Sequence, residues 1–124
     1  MPPKTISVLI ADDHRLFAEA LEAILASEPG LEVVGRARTG EEAVERALAL
    51  RPDVILMDIA MPGLDGVEAT RRIRRKQRRA CVLMLTGSNA RTDVARAREA
   101  GAAAYVTKDR IAAQLVEVIR ELAA

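Results

Sequence analysis

Asp12 and Asp13 follow the apolar run Ile6–Ala11, Asp58 follows residues 54–57, Thr86 follows 81–85, and Lys108 comes shortly after 103–106. Carboxylates, a hydroxyl and an ammonium, each at the end of an apolar run, are the parts of a charged reaction site. Three clustered carboxylates repel one another unless a cation neutralises them. Hard oxygen ligands, with no histidine or thiolate needed, favour magnesium over zinc or copper. Magnesium shares its ligands readily with phosphate, and a lysine and a hydroxyl suit phosphate oxygens. Together these residues fit phosphoryl transfer to a carboxylate, in which the protein positions the nucleophile and stabilises spreading negative charge.

That chemistry requires the runs to lie side by side. The apolar runs are short, continuous and rich in β-branched residues, which suits parallel strands covered on both faces. Strands are expected at Ile6–Ala11, Leu31–Ala37, 54–57, 81–85 and 103–106. Helices are expected at 15–27, from Thr39 to about Leu50, and at 67–76, 92–100 and 111–122. In the first helix the stripe facing the core is read as Leu16, Phe17, Ala20, Leu21, Ile24 and Leu25. Thr39 and Glu42 have the spacing of a capping box. Pro29-Gly30, the loop with Pro62, Gly63 and Gly66, the polar turn Thr86-Gly87-Ser88-Asn89, and Gly101 punctuate the chain. Five strand–helix units imply one α/β domain, a doubly wound parallel sheet in the order 2-1-3-4-5. Ligands of such folds bind beyond the carboxyl ends of the strands. The first and third strands are neighbours in that order, so Asp12, Asp13 and Asp58 should converge.

Composition narrows the alternatives. The chain has 124 residues, 50% hydrophobic and 30% charged, enough for a single domain with a real core. The net charge of +1 gives no bulk attraction for nucleic acid, so direct nucleic-acid binding by this domain is not expected. The basic run Arg71-Arg72-Ile73-Arg74-Arg75-Lys76-Gln77-Arg78-Arg79 reads as a solvated helix face and C-terminus, where cations suit the helix dipole. Cys81 is the single cysteine; its apolar run points to a small core residue. His14 is the single histidine and is expected to start the first helix. No apolar stretch approaches the roughly 20 residues needed to span a bilayer, and Met1-Pro2-Pro3-Lys4 lacks the apolar region of a signal peptide. A cytoplasmic location without membrane contact is expected.

The segments Leu9-Ile10-Ala11-Asp12-Asp13-His14, Met57-Asp58-Ile59-Ala60-Met61-Pro62-Gly63-Leu64-Asp65-Gly66, Leu85-Thr86 and Tyr105-Val106-Thr107-Lys108 resemble the receiver domain of two-component response regulators. The resemblance spans essentially residues 1–124, in order and spacing. Asp12-Asp13-His14 and Lys108-Asp109 look most like the NarL/FixJ-type (LuxR-family) subfamily, whose receivers usually precede a helix-turn-helix DNA-binding domain. The resemblance implies a phosphorelay function. Asp58 matches the phosphoacceptor that takes a phosphoryl group from a sensor histidine kinase with Mg2+. Asp13 matches the direct metal ligand, Asp12 the acid that holds the metal through water, and Ala60 a backbone carbonyl ligand. Asp58 joins that metal set. Thr86 matches the hydroxyl that turns to the phosphoryl group, Lys108 the cation that pairs with it, and Tyr105 the aromatic of the switch. The face formed by the fourth helix, fifth strand and fifth helix would then control a homodimer or a transcriptional output.

Two departures from the pattern stand out. Asp109 follows Lys108 where many receivers have a proline in a cis peptide. Gly87 follows Thr86 where alanine is common, which loosens the backbone there. Two rival readings remain. A haloacid-dehalogenase-type phosphatase needs an acid two positions after the nucleophilic Asp, where this chain has Ala60, which cannot move protons. A stand-alone receiver would act by docking or phosphate shuttling; a receiver within a longer regulator would instead continue past Ala124 into an output domain. In either form the chain is expected to modify itself and not to turn over an external substrate.

Overall fold

The computed structural model describes residues 5–87 and 91–124. The expectations that rest on residues 1–4, on Ser88 and Asn89, and on Ala90 lie outside the described residues. Five strands alternate with five helices: β1 (Ile6–Ala11), α1 (Arg15–Ala26), β2 (Leu31–Ala37), α2 (Gly40–Leu50), β3 (Val54–Asp58), α3 (Gly66–Lys76), β4 (Val82–Thr86), α4 (Arg91–Ala100), β5 (Ala104–Thr107) and α5 (Ile111–Ala123). The sheet is parallel throughout, in the order β2-β1-β3-β4-β5, as the apolar runs required. Parallel neighbours need crossovers, and each is a helix laid on one face.

Strand alternation divides the core in two. Leu9, Ala11, Ile55, Met57, Val82 and Met84 meet α2, α3 and α4. Val8, Ile10, Val54, Leu56, Leu83 and Leu85 meet α1 and α5. Every residue of β3 and β4 is buried, which explains why neither strand shows polar alternation in sequence.

Several local expectations need correction. The core stripe of α1 is Ala18, Leu21 and Leu25, flanked by the partly buried Phe17 and Ile24. Leu16 is 80% exposed and Ala20 is also exposed, so the stripe is rotated from the one read in sequence. Cys81 precedes β4 and is half-buried; burial still pushes its thiol upward, away from a reactive thiolate. Only half of the capping box forms. Thr39 Oγ1 accepts from Glu42 N at 3.1 Å, and the Glu42 carboxylate pairs with Arg46 at 3.3 Å. Between β5 and α5 the chain makes a 3₁₀ turn, Lys108–Arg110, that the sequence reading did not anticipate.

Candidate functional site

The carboxyl ends of β1 and β3 bring the carboxylates together. Ala11 pairs with Met57 in the sheet, so Asp12 and Asp58 leave neighbouring strands at the same level. Both are buried, each only 2% exposed, while Asp13 is exposed at the mouth. One carboxylate oxygen from each, with a ring nitrogen of His14, all lie within 4.8 Å of one another.

Hydrogen bonds hold this arrangement only in part. Asp12 Oδ1 accepts from the backbone N–H of His14 at 2.8 Å. Asp58 Oδ1 accepts from Ala60 N at 3.3 Å, which fixes the loop just beyond β3. Lys108 Nζ donates to Asp58 Oδ2 at 3.4 Å. It also stands 3.1 Å from Asp12 Oδ2, close enough for charge attraction but not aligned as a hydrogen bond; that buried oxygen has no hydrogen-bond partner. Burial chiefly, then the neighbouring charge of Asp12, pushes the Asp58 carboxyl up to about 6 against the pull of Lys108 and the Ala60 N–H.

A buried carboxylate oxygen without a donor, amid three acids and one lysine, is suited to a hard cation. Asp12, Asp13 and Asp58 are the residues that could hold one, with the exposed Ala60 beside Asp58. No histidine-rich or thiolate set competes for a softer metal; Cys81 precedes β4, whose opposite end carries Thr86.

The remaining expected residues occupy the same edge. Thr86 is buried and ends β4, one step beyond Leu85, the sheet partner of Asp58. Thr86 in turn pairs with Thr107, next to Lys108. Tyr105 is not gathered into the cluster. It pairs with Met84, two positions before Thr86, so it shares the α4 face of the sheet with Thr86, and it is 39% exposed. The peptide bonds among the described residues, including Lys108–Asp109, are trans. A Cβ at Gly87 would meet nothing within 4 Å, so space does not require glycine there.

Three contributors escaped the sequence reading. His14 precedes α1 as expected, but its Nδ1 also lies 3.4 Å from Asp13 Oδ1 and 3.7 Å from Asp58 Oδ2, over the acidic pocket. Phe17 supports Lys108, whose ammonium stands 4.5 Å from the ring centroid, within cation–π range. Gly66 starts α3 directly against the Asp58 carbonyl, where a side chain would collide with backbone, and donates to Ile59 O at 3.0 Å. The Pro62–Gly66 segment signalled a turn, but not that close approach. A cleft of about 500 Å³ opens onto Asp58 between His14, Phe17, Ala60, Gly87 and Lys108.

Known proteins share this architecture. The family model for the response regulator receiver domain matches residues 8–120. Response regulator GacA of Pseudomonas viridiflava is 43% identical over 115 residues, covering 93% of this chain and 54% of the relative. Transcriptional regulatory protein LiaR of Bacillus subtilis is 42% identical over the same shares. The chain thus spans about half the length of these relatives. Among solved structures, the signal receiver domain of NarL from Mycobacterium tuberculosis superposes with a TM-score of 0.93 at 32% identity, covering 98% of each chain. With the fold, the strand-end acids and the family match in agreement, this chain belongs to the response regulator receiver domain family.

Proposed function

We propose that Asp58 accepts a phosphoryl group from the phosphohistidine of a sensor histidine kinase. The observation that carries the reading is the buried Asp58 carboxylate, bonded to Lys108 and open to solvent through the neighbouring cleft. A carboxylate oxygen of Asp58 attacks phosphorus in line, the bond from phosphorus to the donor imidazole nitrogen breaks, and that nitrogen leaves with the bonding pair. Lys108 stays paired with the growing negative charge, and the Thr86 hydroxyl donates to a phosphoryl oxygen. Asp12, Asp13, Asp58 and the Ala60 carbonyl would hold Mg2+. An ion bound there would neutralise the acids and the charge that develops on the phosphoryl group.

The product is a signal and not a released compound. A phosphoryl group brings nearly two negative charges at neutral pH. Thr86 and Lys108 move toward them, Tyr105 follows toward the space that Thr86 vacates, and the α4–β5–α5 face shifts between two states. Relatives about twice as long, one of them a transcriptional regulatory protein, support reading residues 1–124 as the receiver of a longer cytoplasmic regulator. A helix-turn-helix DNA-binding domain, or a second copy of the chain, is the proposed recipient of the shift. Among the described residues no helix is long and apolar enough to cross a membrane.

The test is incubation with a small phosphodonor and Mg2+, read by intact-protein mass spectrometry. A single phosphoryl adduct is expected in the parent and none in Asp58→Asn. The same adduct level in both proteins refutes the assignment.

A further inference from the structure

At the opposite end of the sheet, the C-terminal ends of α2 and α3 meet the starts of β3 and β4. A cleft of about 320 Å³ lies there, lined by Arg51, Lys76, Arg78 and Arg79 around Gln77, Ala80 and the buried Pro52. We propose that this cleft is an anion site for a di- or triphosphate group, separate from Asp58.

The basic residues of α3 and the turn after it differ in their partners, and Arg75 is exposed and lies outside the cleft. Arg71 and Arg72 pair with Glu68, and Arg74 caps the carbonyls of Arg78 and Ala80, so these three serve the fold. Among the described residues, Arg51, Lys76, Arg78 and Arg79 form no ion pair, and all four are exposed. The C-terminal ends of α2 and α3 offset part of the repulsion among these four like charges, and an anion relieves the rest. A merely solvated helix face would spread them over a convex surface. Here Arg51 faces the others from a different segment.

Arg51 carries a second signal. Its backbone is left-handed, with φ 47 and ψ 57, at a helix end where glycine is the favoured residue. This costly conformation falls at a residue that lines the cleft. The walls are tied together before any ligand arrives: Arg74 braces the α3–β4 turn, and Gln77 Nε2 donates to Leu48 O across to α2 at 3.4 Å.

Shape and chemistry select the ligand. Guanidinium groups match phosphate oxygens in pairs. The volume is at the lower end for small-molecule pockets, enough for a short phosphate chain. The cleft has no aromatic face to stack a base and no apolar anchor beyond Pro52 and Ala80, so neither a nucleobase nor a protein segment is read there. β3 spans five residues, roughly 13 Å from end to end, so a ligand here leaves Asp58 accessible. A nucleotide and an inorganic polyphosphate present the same chemistry.

The test is a titration of isotope-labelled protein with inorganic triphosphate, ATP, adenosine and a short DNA duplex, followed by backbone amide NMR. A chelator removes divalent ions, which would otherwise recruit phosphate to the acidic pocket. Triphosphate and ATP should shift the amides of Arg51, Asp53 and residues 76–80, and adenosine should shift none. Equal affinity assigns the phosphate chain as the recognised group; markedly tighter ATP binding would contradict a lining that offers no base contact. Arg78→Gln, at an exposed position, should weaken binding about tenfold and leave phosphorylation of Asp58 unchanged. Absence of shifts at these residues, shifts centred on Asp12 and Lys108, unaltered affinity in Arg78→Gln, or tighter binding of the duplex than of triphosphate would each overturn the proposal.

Discussion

Lys108 reaches across fifty positions of the chain to place its ammonium 3.4 Å from Asp58 Oδ2. That contact only partly offsets the burial of Asp58 and the charge of Asp12, so the carboxyl remains at about 6 against 3.8 for an ordinary aspartate. The sign of the resulting pH dependence is set by proton binding. Below about pH 4 both folded and unfolded chains hold the proton, and Asp58 contributes nothing. Between about 4 and 6 the folded chain holds it more tightly, so stability falls as pH rises through that window. Above about 6 the full cost of the buried charge is present. Asp58→Asn in a chelator should therefore be more stable than the parent near pH 8, by about 1–3 kcal/mol, and equal to it near pH 3.5. Urea denaturation at both pH values checks this; a gain independent of pH would remove burial of charge as its source.

The two acids after β1 should differ in their effect on the metal. Asp13 sits exposed at the mouth and Asp12 is buried with a donorless oxygen. With Asp13 as a direct ligand and Asp12 acting through water, Asp13→Asn should weaken Mg2+ about a hundredfold and Asp12→Asn about tenfold. Calorimetric titration of the two variants gives the order, and the reverse order would interchange their roles.

Thr86 and Tyr105 share the α4 face of the sheet, offset by two positions in register. Against that face α4 buries only Ala97 and Ala100, which offers little apolar anchorage. Thr86→Ala should keep the phosphoryl adduct within about twofold of the parent yet lose most of the amide NMR shifts that beryllofluoride induces over residues 91–106. Undiminished shifts would show that Tyr105 moves without Thr86.

Much of this was legible in the sequence because burial on both faces writes parallel strands as unbroken apolar runs. The strand ends then locate Asp12, Asp13, Asp58 and Thr86 with no further information. The α1 stripe was harder. Leu16 and Ala20 are as apolar as Ala18, and only docking against the sheet decides which turn of the helix is covered. Phe17 and His14 belong to the site through contacts with Lys108 and Asp13 that span the fold or wrap a helix start, and spacing does not encode them. Gly66 was visible as a turn signal, but the backbone that demands it lies on another element. The basic run was readable as charge; that Lys76, Arg78 and Arg79 join Arg51 around a cleft was not.

Identification of the modified side chain tests the central claim most directly. After exposure to a phosphodonor and Mg2+, borohydride reduction converts an aspartyl phosphate to homoserine, which tandem mass spectrometry places on the sequence. Homoserine at position 58 alone, lost when Lys108 is changed to Ala or Mg2+ is withheld, is the predicted result. Modification at Asp12, Asp13 or His14 instead, or at position 58 with no dependence on Mg2+, would contradict the account.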